Sequence, residues 1–81
     1  MNKKSEKEVL DIIQKALNLE AGLITIESSV WNVTVWDSLG HLSILSALDD
    51  FLDGKVAGIK GMANADSVKK ILQLLKDNSL I

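Results

Sequence analysis

Three side chains that could do chemistry stand within one short stretch, VTVWDSLGHLSIL: Asp37, Ser38 and His41. A carboxylate, a hydroxyl and an imidazole are the parts of a nucleophilic hydrolase. On a helix, Ser38 and His41 are separated by three positions and share a face. The set is nevertheless incomplete. Such an enzyme needs a base oriented by a third group, oxyanion donors and a substrate pocket. Asp37 directly precedes Ser38, where a carboxylate more naturally caps a helix than orients an imidazole. His41 reads as an exposed helix residue. The chain is therefore expected not to be an enzyme. No metal site is expected either: there is one histidine and no cysteine, and Asp49, Asp50 and Asp53 read as a solvated face near a helix end.

Ser38 makes more sense as a point of attachment. Its hydroxyl falls at the start of an apolar-periodic run, on a side the apolar stripe leaves free. The amides and dipole at a helix start favour an anionic group. A phosphodiester on Ser38 would be well placed there, and the hydroxyl would stay open to a modifying enzyme.

The elements that must hold this stretch can be traced from the pattern. Ser5 and Glu8 fit a capping box. Val9, Ile12, Ile13, Ala16 and Leu17 then recur at helical spacing, which predicts a first helix over Glu6 to Leu19, with Gly22 in its exit. The next segment, GLITIESSVWNVTVW, has β-branched residues and partial alternation. A lone two-stranded hairpin is marginal in water, so a long ordered loop is expected, pinned by Ile24, Ile26, Val30, Trp31 and Val33. Asp37 or Ser38 caps a second helix over Ser38 to Leu52. Its stripe is Leu39, Leu42, Leu45, Leu48 and Leu52, widened by Ile44 and Phe51, and Gly54 ends it. Glycines in GKVAGIKGMANA leave room for a single helical turn docked by Val56, Ile59 and Met62. Asp66, aided by Asn64, caps a last helix with the stripe Val68, Ile71, Leu72 and Leu75, fraying near Asn78.

The expectation is one all-α domain over residues 1–81: a small four-helix bundle of three main helices plus a short one before the last, with a long loop between helix 1 and helix 2. A core of this size supplies only about 3–5 kcal/mol of net stability and cannot enclose a deep catalytic cleft. The net charge is −2, and every basic residue is a lysine, with no basic stripe. Nucleic acid is therefore not an expected partner, since base and phosphate recognition lean on arginine. The N-terminal MNKKSEKEVLDIIQKAL has no continuous apolar region, and no run approaches a membrane span. A cytoplasmic monomer without membrane contact is the expectation.

The run WDSLGHLSILSALDDFL resembles the prosthetic-group region of acyl carrier proteins and related carrier domains. The matching core is Asp37-Ser38-Leu39, followed by a helix with Leu42, Ile44, Leu45, Ala47, Leu48 and Leu52 in family-like places. The resemblance extends to length and order of elements over the whole chain and is strongest from Trp36 to Asp53. A tryptophan before D-S-L is similar to free-standing carriers of specialised biosynthesis more than to those of fatty acid biosynthesis.

The resemblance implies that a separate phosphopantetheinyl transferase moves 4′-phosphopantetheine from coenzyme A to Ser38. The arm's thiol then holds an acyl or aminoacyl group as a thioester for acyl-loading and acyl-transfer enzymes, which suits a chain without cysteine. Asp37 would help position magnesium and coenzyme A in the transferase complex, and would cap the helix in the free protein. Leu39 and Leu42 would be docking contacts as well as core, and Asp49 and Asp50 would meet partners. Ile44, Leu48, Val56, Ile59 and Leu72 would line a space for a short acyl chain, or simply be core. The family usually shows an acidic second helix. Here Gly40, His41, Ser43 and Ser46 occupy much of it, and Lys55 and Lys60 follow where acid is common. That departure implies a dedicated set of partners. Two alternatives stand beside this reading: an aminoacyl or D-alanyl carrier, and a helical protein-interaction module whose Ser38 is never modified.

Overall fold

The computed structural model describes residues 4–81. Residues 1–3, part of the N-terminal stretch considered above, lie outside the described residues. Three α-helices and one 3-10 turn follow in order: α1 (Glu6–Ala16), α2 (Ser38–Phe51), the turn Met62–Asn64 and α3 (Val68–Asp77). The protein is all-helical, with no strand among the described residues. The expected fourth helix is only the three-residue 3-10 turn, so a four-helix bundle overstates the architecture.

The capping box at Ser5 and Glu8 opens α1 as expected: Glu8 N–H donates to Ser5 Oγ, and Ser5 N–H donates to the Glu8 carboxylate at 3.0 Å. The helix stops at Ala16, three residues before the expected end at Leu19. Asn18 adopts the left-handed conformation (φ 57°), and Leu19 N–H reaches back to the Gln14 carbonyl. This is a Schellman closure. The other two helices end the same way, at Asp53 (φ 59°) with Gly54 N–H on Asp49 O, and at Ser79 (φ 59°) with Leu80 N–H on Leu75 O. All three left-handed positions hold a residue other than glycine, two of them Asn or Asp, which tolerate it best.

The cap of α3 is Ser67, whose side chain accepts from Lys70 N–H, and not Asp66 aided by Asn64. Asp66 is used differently. Its carbonyl accepts from Val30 N–H, and Val68 N–H donates to Ser28 O, so Ser29 and Ser67 form one antiparallel bridge. That bridge stitches the long loop onto the start of α3 and satisfies one of the helix's orphan amides. The segment is a loop and not a hairpin, but its pins differ from the expected ones. Ile24, Ser28 and Trp36 are buried and Val33 is half-buried, whereas Ile26, Val30 and Trp31 are exposed.

The core joins Val9, Ile13 and Leu17 of α1 and its cap to Ile44, Leu48 and Leu52 of α2 and its cap, and to Val68, Ile71, Leu72 and Leu75 of α3. Val56, Met62 and Ala65 close it from the connection before α3. The stripes expected on α1 and α3 are the buried ones. On α2 the buried line runs Ile44, Leu48, Leu52, with Leu45 and Phe51 at its flank. Leu39 and Leu42, expected in the core, are 76% and 62% exposed.

Candidate functional site

The site is the N-terminal end of α2. Asp37 is the N-cap, in extended conformation, and its Oδ1 accepts from Gly40 N–H at 2.8 Å. Its carbonyl accepts from His41 N–H, the first bond of the helix. Ser38 is the first helical residue and is exposed. Because Asp37 engages the third amide of the helix, the amides of Ser38 and Leu39 keep the free position that a helix start offers to an anion.

Gly40 lets the loop reach this end. A Cβ at Gly40 would stand 2.4 Å from the Val35 carbonyl oxygen and 2.9 Å from a Leu17 methyl. Gly40 is thus where the loop's last turn lies against α2. The next residue in the loop, Trp36, is buried. Its Nε1–H donates to His41 Nδ1 at 3.0 Å, and the two rings stack with centroids 6.1 Å apart and planes 17° from parallel. His41 Nε2 lies 3.0 Å from the Met62 carbonyl. His41 is therefore half-buried and bonded on both nitrogens, not an exposed helix residue. Both ring nitrogens of His41 are thus engaged by Trp36 and Met62 and not by Ser38.

Beside Ser38 lies an open groove of about 520 Å³. One wall comes from Trp36, Asp37, Ser38, His41, Leu42 and Leu45. The other comes from Ala63, Asn64, Ala65 and Asp66, with Val30 of the loop. Ala63 to Asp66 lie 25 residues and more along the chain from Ser38 and are brought in by the 3-10 turn; no spacing in the sequence announces them. Trp36 and His41 did carry a signal, being an indole donor and an imidazole acceptor five positions apart across a helix start.

Of the residues singled out from sequence, Asp37, Ser38, Leu39 and Leu42 gather at this end of α2. The five acyl-pocket candidates do not line the groove. Ile44, Leu48, Val56 and Leu72 are packed in the core and Ile59 is half-buried against it. Asp49 and Asp50 lie 11 and 12 residues further along α2, roughly 16–18 Å away at the helical rise. Asp49 has an internal role: its Oδ1 accepts from both Val56 N–H and Ala57 N–H at 3.0 Å, folding the chain back after α2. Asp50 and Asp53 are exposed. No helix among the described residues is long and apolar enough to cross a membrane.

Comparison with family models, curated proteins and solved structures found no match for the chain.

Proposed function

We propose that this protein is a carrier that holds acyl or related groups as thioesters on a 4′-phosphopantetheine arm attached to Ser38. The observation that carries the reading is the exposed Ser38 hydroxyl at the first position of α2, flanked by a capping Asp37 and by two leucines turned out of the core. Each residue then has a task. Ser38 offers its hydroxyl to a separate transferase. Asp37 holds the helix start rigid through Gly40, so the hydroxyl is presented in one place. The amides and dipole at the start of α2 would favour the negative charge that a phosphodiester adds. Leu39 and Leu42 give a partner enzyme apolar purchase beside the serine. When bound, the arm supplies the thiol that the chain lacks. The groove runs alongside Ser38, so it is the surface nearest to the root of the arm.

The exposed apolar cluster of Leu39, Leu42 and Val35 would equally serve a plain interaction module, and one measurement separates the two. Intact mass after incubation with coenzyme A, magnesium and a promiscuous phosphopantetheinyl transferase should rise by one phosphopantetheine, and Ser38→Ala should abolish the gain. No gain, or a gain that survives the substitution, would leave the interaction module as the better reading.

A further inference from the structure

We propose that His41 is a proton-responsive latch that positions the groove beside Ser38. The two walls of the groove belong to separate elements, and His41 joins them. On one side Trp36 Nε1–H donates to its Nδ1, and on the other its Nε2 meets the Met62 carbonyl at the start of the 3-10 turn, 21 residues along the chain. An indole N–H can only donate and a carbonyl can only accept. The pair of contacts is therefore satisfied by one species alone, the neutral imidazole with its hydrogen on Nε2.

A proton taken from solvent onto Nδ1 puts an N–H against the N–H of Trp36. The bond to Met62 is unaffected, because Nε2 still donates. The response is thus directional: the Trp36 side lets go while the Met62 side holds. Trp36 is 2% exposed, so its indole N–H has little access to water as a substitute acceptor.

The titratable groups around the groove come from two elements. On the loop and α2 side the titratable neighbour is Asp37, whose carbonyl already takes the His41 amide. Across the groove it is Asp66, with Lys70 Nζ 4.0 Å from its carboxylate. The 3-10 turn itself, Met62 to Asn64, has no titratable side chain, and neither Val30, Leu42 nor Leu45 adds one. The inference is independent of any modification of Ser38: it concerns the shape of the groove, whatever occupies it.

The test is an NMR titration of the whole chain from about pH 7.5 to about pH 5, the interval in which imidazoles commonly change charge. The Trp36 indole N–H should move upfield and lose its protection from exchange, with the same midpoint as the His41 Cε1–H. The indole N–H of Trp31, which is 76% exposed, is the internal control and should stay in place. In His41→Gln the Trp36 resonance should become independent of pH over this interval. If that variant does not fold, the comparison of the two indoles in the unaltered protein decides alone. A Trp36 indole that stays put while His41 titrates would overturn the latch. So would a shift that persists in His41→Gln, or a His41 that remains neutral throughout.

Discussion

The α-carbon of Gly40 lies against the carbonyl of Val35, so closely that a Cβ would stand 2.4 Å from the oxygen. This contact seats the end of the long loop on the first turn of α2 and sets Trp36 at its place in the core. Gly40→Ala brings two opposing effects. Alanine is the better helix former by up to about 1 kcal/mol. The clash is with backbone, which cannot rotate away as a side chain can, and such overpacking costs about 1–3 kcal/mol. The clash should win, for a net loss of roughly 1–2 kcal/mol in urea unfolding. A variant as stable as the parent would mean that the loop does not close here.

Asp49 and Asp50 are neighbours with opposite roles. Asp49 accepts two amide hydrogens, one of them from the buried residue Val56, and Asp50 is exposed. Hydrogen bonds to a charged group contribute about 1.5–3 kcal/mol, and an exposed substitution usually stays within about 0.5 kcal/mol. Asp49→Ala should therefore cost roughly 2 kcal/mol more than Asp50→Ala. The gain in helix propensity is shared by both and cancels in the comparison. Asp49→Asn keeps one acceptor oxygen and should fall between them. Equal midpoints for the two alanine variants, with equal denaturant slopes, would contradict the assignment.

What could be read in the sequence was what is local and periodic. The capping box, the stripes of α1 and α3 and the helix start at Ser38 follow from neighbours within four positions. The ends of the first two helices were harder, because Gly22 and Gly54 were the expected stops and Asn18 and Asp53 take the left-handed position instead; the last helix has its C-cap at Asn78, where fraying was expected. On α2 the leucines outnumber what one face can bury. Periodicity placed Leu39, Leu42, Leu45, Leu48 and Leu52 on the stripe, widened by Ile44; Leu48, Leu52 and Ile44 do face the core with Leu45 at its flank, but Leu39 and Leu42 stay exposed. Asp66 looked like the cap because it is acidic and precedes the helix; Ser67 has that role since Asp66 backbone is committed to Val30. The far wall of the groove and the Met62 partner of His41 depend on contacts more than 20 residues apart in the chain, which no local pattern encodes.

Leu39 and Leu42 give the carrier reading a test that folding does not confound. Both are largely exposed, so truncating either to alanine should change stability by no more than about 0.5 kcal/mol. If they anchor partner enzymes, modification of Ser38 should slow about five- to thirtyfold, the effect of losing 1–2 kcal/mol of contact. Salt should matter less than either truncation. With Asp49 engaged internally, Asp50 and Asp53 are the exposed acids near the end of α2, and charges this sparse steer weakly. A steep loss of rate at moderate ionic strength, with the leucine variants unaffected, would place docking on charge instead.

Glu8 gives α1 a dependence on pH whose sign can be worked out. The Ser5 backbone N–H donates to its carboxylate and is the largest influence; desolvation opposes it, and the Ser5 hydroxyl bond and the Lys4 charge add smaller attractions, so that Glu8 is held below the ordinary glutamate range. A carboxylate lowered in the folded state contributes stability that is present above its unfolded-state value and lost as pH falls through the folded one. The capping box should therefore weaken on acidification below the usual glutamate range, with no change near neutrality. Glu8→Gln can still accept from Ser5 but has no charge to lose. Its stability should be modestly lower at pH 7, and the gap to the parent should narrow as both are taken into acid. Urea midpoints of the two proteins across that range are the measurement, and a gap that stays constant with pH would show that the charge of Glu8 has no part in holding the start of α1.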